Sequence, residues 1–138
     1  MSLATIVDAG PLVAFLNRHD PHHAWSSEQF VRLKRPIITC ETVLSETCFL
    51  LRRGGIDPDH ALALVARGAL RIAFSLADEV ESVRALMNRY RDVGMSLADA
   101  CLVRMSELHA RSEVMTIDRD FEVYRRNGRR TIPLIAPF

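Results

Sequence analysis

A chain of 138 residues with 49% apolar and 25% charged side chains has the proportions of one globular domain, spanning 1–138, and no apolar run approaches the ~20 residues of a membrane span. Its 18 Lys and Arg nearly balance 17 Asp and Glu, so no whole-molecule basic field gathers a polyanion. Cys40, Cys48 and Cys101 form no Cys-x-x-Cys pair, which argues against a disulfide framework or zinc ribbon and predicts buried thiols. Met1 to Ala4 lacks the basic start and apolar stretch of a signal peptide, which predicts a cytoplasmic protein.

The run from Ala4 to Asp8 is short, β-branched at Thr5, Ile6 and Val7, and stopped by Gly10 and Pro11. It reads as a strand buried on both faces. Helices are predicted over Leu12 to Asn17 and His22 to Lys34, the second entered through Asp20-Pro21. Pro36 to Thr39 is a second strand, Glu41 to Arg53 a helix stopped by Gly54-Gly55, and Asp57-Pro58 opens a helix reaching about Arg67. Leu70 to Phe74 is a third strand. Asp78 to Arg91 and Ser96 to Ala110 read as helices, Glu113 to Ile117 as a fourth strand, Phe121 to Arg126 as a last helical turn or two, and Thr131 to Ile135 as a fifth strand. Strands separated by helices predict an α/β fold with a mainly parallel sheet of four to five strands and helices on both faces.

Four acids stand out against this frame. Asp8 ends the first strand, at the edge where open parallel sheets place their ligands, though Asp also caps helices well. Glu46 falls near Val43, Phe49 and Leu50 on a helix face expected to be buried, so it must pair with a base, take a proton or meet a cation. Asp99 stands three residues after Ser96, the spacing of a capping box, on a stripe continued by Val103, Ser106 and Ala110. Asp118 follows the fourth strand, where Asp also makes a good turn residue. If the first and fourth strands are neighbours, Asp8 and Asp118 end side by side, and converging carboxylates without a matching arginine call for a hard divalent cation, Mg²⁺ or Mn²⁺. Asp120 reads as an N-cap for the turn at Phe121, with a secondary role at the metal.

The ordered set of Asp8, Glu46 after Val43-Leu44-Ser45, Asp99 within Ser96 to Ala100, and Thr116-Ile117-Asp118-Arg119-Asp120-Phe121 resembles the acidic motifs of PIN-domain ribonucleases, more narrowly the VapC-type toxins. The resemblance runs along essentially the whole chain. It implies a three-layer α/β/α fold and metal-dependent endoribonuclease activity with Asp8, Glu46, Asp99 and Asp118 as the acidic quartet, and Thr116 and Asp120 as secondary members. It also implies a small antitoxin partner and a homodimer. The chain departs from many members in carrying Ala9-Gly10 where a Ser or Thr follows the first Asp.

Arg125, Arg126, Arg129 and Arg130 form a basic group past the last motif, suited to phosphates beside an acidic pocket. His19, His22 and His23 lack the further ligands a second metal site needs. Two other readings compete: an RNA-binding or interaction module with a degenerate, non-catalytic acidic site, favoured if the missing hydroxyl after Asp8 matters or if the acids pair with arginines, and a phosphoryl-transfer enzyme working through Asp8. The latter lacks a second acid two residues after Asp8.

Overall fold

The computed structural model describes residues 3–138; the reading of Met1 and Ser2 as part of a non-leader start lies outside the described residues. Strands β1 (Ala4–Val7), β2 (Ile37–Thr39), β3 (Arg71–Ile72), β4 (Ser112–Met115) and β7 (Leu134–Ile135) build one parallel sheet in the order β3-β2-β1-β4-β7. Helices α1 (Ala9–Leu16), α2 (His23–Arg32), α3 (Glu41–Arg53), α4 (Asp59–Ala66), α5 (Leu76–Arg89) and α6 (Leu97–Leu108) complete a three-layer α/β/α arrangement. Ile6, Val7, Ile38, Val114 and Met115 are almost wholly buried, as strands covered on both faces require. Among the described residues no helix is long and apolar enough to cross a membrane.

β1 lies at the centre, with β2 and β3 to one side and β4 and β7 to the other. The crossovers therefore diverge at β1 and β4, and the crevice beyond their C-terminal ends is the switch point where α/β sheets place ligands. α6 faces this crevice with its first turn. Its residues Ala98, Ala100, Cys101, Leu102, Val103, Met105 and Ser106 are buried, so little of its circumference meets solvent. Small residues let it lie close to the sheet.

The C-terminal segment departs from the sequence reading. Phe121 to Arg126 does not stay helical: a 3₁₀ turn, Arg119–Glu122, gives way to β5 (Arg125–Arg126), which pairs antiparallel with β6 (Arg130–Thr131). The cause is Asn127-Gly128, both at positive φ (53° and 76°), the residue pair that closes tight hairpins whose twist matches their strands. Arg129 N–H bonds to Arg126 O across the turn at 3.2 Å. The expected strand Thr131 to Ile135 divides at Pro133, which has no N–H to donate; its carbonyl instead accepts from Val114 N–H at 2.9 Å. All three cysteines are free thiols, Cys40 and Cys101 buried and Cys48 half-buried.

Candidate active site

Asp8 directly follows β1 and caps α1. Its Oδ1 accepts from Ala9 N–H and its Oδ2 from the Thr116 hydroxyl, both at 2.8 Å, so the capping and site readings describe one side chain. The residue is 7% exposed. Burial pushes its pKa up to about 7 against these hydrogen bonds, with the charges of Asp99 and Glu46 adding to the rise. Thr116 is itself buried and accepts Asp118 N–H at 3.0 Å. A hydroxyl missing after Asp8 in sequence is thus present on Asp8 in space, supplied by the end of β4.

Asp99 sits in the first turn of α6, where its backbone N–H bonds to the capping Ser96 Oγ at 3.1 Å. Tyr124 donates its hydroxyl to Asp99 Oδ2 at 2.8 Å. Desolvation nevertheless raises the Asp99 pKa, and Asp118 raises it further. Asp118 caps the 3₁₀ turn, its Oδ1 accepting from Asp120 N–H at 2.8 Å. The sequence reading gave that cap to Asp120, and the structure corrects it. An N-cap precedes the first turn residue and accepts from a donor two or three positions on, which puts Asp118, not Asp120, in that place. Asp120 is left to turn its carboxylate inward.

One carboxylate oxygen from each of Asp99, Asp118 and Asp120 lies within 4.8 Å of the others. Glu46 joins through its charge: desolvation raises its pKa, and Asp99 and then Asp118 add to the rise. Its expected burial is a second correction. The buried stripe of α3 is Val43, Thr47 and Leu51, one step round the helix from the face read as apolar, while Glu46 is exposed and Phe49 is 60% exposed. Glu46 stands at the rim of the crevice rather than in its wall.

Among the described residues no Lys, Arg or His forms an ion pair with Asp8, Glu46, Asp99, Asp118 or Asp120. Mutual repulsion and dehydration are relieved by a proton or a cation, and an all-oxygen donor set suits a hard divalent ion. The residues present fit such an ion.

The basic group expected beside the acids is dispersed by the hairpin. Arg126 is buried and donates to Ala110 O and Ser112 O at 3.0 and 3.1 Å, fastening β5 to the far end of α6 instead of reaching a substrate. Arg125 spends its guanidinium on the carbonyls of Glu122, Val123 and Tyr124. Arg129 and Arg130 are exposed, but the turn beside them is held by Glu107, through Asn127 N–H at 2.7 Å. Glu107 is about 12 Å of helix from Asp99. His23 bonds to Ala14 O at 2.7 Å, and His22 lies 3.9 Å from Asp20. A helical reading of Phe121 to Arg126 hides Tyr124; its place three residues beyond Phe121, on the turn opened by Asp118, is the signal that points to it.

Fold and site define an α/β/α protein with an acidic centre at the switch point of its sheet. The chain belongs to the PIN domain family, whose model matches residues 5–127. It is 28% identical over 116 residues to ribonuclease VapC26 of Mycobacterium tuberculosis, a match spanning 83% of this chain and 86% of that one. Its fold superposes with a TM-score of 0.79 on Mycobacterium tuberculosis VapC20, described as a sarcin-ricin loop cleaving toxin, at 22% identity over 86% of this chain and 93% of the other.

Proposed function

We propose that this protein is a metal-dependent endoribonuclease, the cytoplasmic toxin of a toxin–antitoxin pair, using Asp8, Glu46, Asp99, Asp118 and Asp120 with Mg²⁺ or Mn²⁺. The observation that carries this reading is the cluster of carboxylates without a basic partner; the competing binding-module reading would be favoured by arginines paired with them or by the lack of a hydroxyl at Asp8, where Thr116 donates one. The relatives' ribonuclease names point the same way. Asp99, Asp118 and Asp120 would hold the cation, with Asp8 fixed by Thr116 nearby and Glu46 at the rim. When bound, the cation supplies a water of lowered pKa and positive charge for the leaving oxygen of a phosphodiester. Arg129 and Arg130 are assigned to phosphates distant from the cleaved bond, and Arg125 and Arg126 to supporting the hairpin.

Cleavage of RNA is expected with Mg²⁺ or Mn²⁺ and is expected to stop with EDTA, while Ca²⁺ binds and supports little turnover. Undiminished cleavage after exhaustive chelation would defeat the reading. We also propose a homodimer that docks a small antitoxin. Exposed Val31, Phe49 and Leu62, at 78%, 60% and 48%, support association, since apolar surface favours a partner. Light scattering at high concentration is expected to give twice the chain mass, and a monomeric mass counts against the dimer.

A further inference from the structure

The Tyr124 side chain is completely buried. Its ring stands edge-on to Tyr90 and to Phe121, with centroids 5.1 Å from each. Its hydroxyl is its one polar atom, and that atom meets Asp99 Oδ2 at 2.8 Å. The Tyr124 N–H also bonds to Asp120 O at 3.2 Å, so a single residue is tied to two of the three clustered acids. The Tyr124 hydroxyl fixes one oxygen of this carboxylate, and Ser96 reaches the same carboxylate from the capping turn of α6. Asp118 likewise has one oxygen held, its Oδ1 accepting from Asp120 N–H.

We propose that Tyr124 is a positioning residue that restricts Asp99 to single-oxygen ligation, and so biases the site toward small octahedral cations and against Ca²⁺. The inference rests on the metal-site reading above. Mg²⁺ and ions of its size take six ligands in near-ideal octahedral geometry, whereas Ca²⁺ accepts six to eight and welcomes a carboxylate with both oxygens. An aromatic ring packed on two sides cannot move aside to release Oδ2 without opening the core around it. Removing only the hydroxyl releases Asp99 Oδ2 from Tyr124.

The test compares wild type with Tyr124→Phe and Tyr90→Phe by calorimetric titration of Mn²⁺ and of Ca²⁺ into metal-free protein. Tyr90→Phe is the control: it belongs to the same ring cluster, and its hydroxyl serves Arg125 N–H at 2.9 Å rather than a carboxylate. The ratio of Mn²⁺ to Ca²⁺ affinity is expected to fall about tenfold in Tyr124→Phe, the usual scale for losing a partner that orients a metal ligand, and to hold in Tyr90→Phe. In RNA cleavage, kcat falls in Tyr124→Phe while KM for RNA does not change. An unchanged ratio in Tyr124→Phe, or an equal fall in Tyr90→Phe, overturns the inference. A wild type that binds neither ion overturns the metal reading and this inference together. In wild type alone, the Mn²⁺-induced infrared carboxylate bands are expected to show the single-oxygen splitting, and a two-oxygen splitting at Asp99 overturns the proposal whatever the variants do.

Discussion

In metal-free buffer the protein is expected to lose stability as pH rises from about 4 to about 7, and a saturating divalent cation is expected to offset part of that loss. The sign follows from Asp8, whose pKa stands at about 7 in the fold against 3.8 ordinarily. Below the ordinary value the carboxyl is protonated in both folded and unfolded chains, and folding gains nothing from the difference. Between the two values the folded state holds a proton that the unfolded state has given up, so each step upward in pH favours unfolding. A displacement of that size corresponds to on the order of 4 kcal/mol once pH passes the folded value. Glu46 and Asp99 are displaced in the same direction, which steepens the fall. A cation that binds only the folded, ionised cluster takes the proton's place and adds stability by mass action, about 2.7 kcal/mol at a hundredfold excess over Kd. Thermal melts across this pH window, with EDTA and with Mn²⁺, read both effects. A metal-free melting temperature that climbs from pH 4 to 7 would mean that these carboxylates are stabilised as anions by the protein alone.

The parallel sheet and its central strand were legible because β1, β2 and β4 are short β-branched runs with stops on both sides, and few other structures satisfy that pattern. The start of α6 was legible for the same local reason, Ser96 accepting from Asp99 N–H, whereas α5 begins at Leu76 rather than Asp78, because Ser75 caps it by accepting from Asp78 N–H. Asp8 after β1, Asp99 in the first turn of α6 and Asp118 after β4 stand where chain position puts them, since a residue at a strand end or in a first helical turn has little freedom about where it points. Glu46 was placed on the right helix with the wrong exposure. Periodicity identifies an apolar stripe, but Thr47 is buried by bonding its hydroxyl to Val43 O at 2.8 Å, and a helical period cannot count a polar residue as core. The failure after Phe121 has a different origin. The helical reading stops at Arg126, but it leaves Asn127-Gly128 unused as a hairpin turn, and it is this positive-φ pair that folds Arg125-Arg126 back on Arg130-Thr131. That reversal removed Arg126 from the site and brought Tyr124 to it.

Asp118→Asn and Asp120→Asn are each expected to lower single-turnover RNA cleavage by on the order of a hundredfold or more and to weaken Mn²⁺ binding, with the metal-free melting temperature unchanged or raised. Chain position alone favoured Asp118 as the ligand and made Asp120 a cap. The structure gives the cap to Asp118 Oδ1 and gathers both carboxylates with Asp99, so the two variants now differ in what they disturb. Asn at 118 keeps an oxygen for Asp120 N–H and is an equally good cap, so the turn survives and only charge is lost. At 120 no side-chain hydrogen bond among the described residues anchors the carboxylate, and its position beside two other acids has no structural return. Each substitution removes one negative charge from a repelling group, which favours the metal-free fold while impairing the site. Titration of Mn²⁺, single-turnover cleavage and thermal melts on the same preparations separate the alternatives. Full cleavage with Asp120→Asn would exclude Asp120 from the cation's ligands and leave Asp118 with Asp99. A drop in metal-free melting temperature for both variants would instead make the cluster a structural element of the turn.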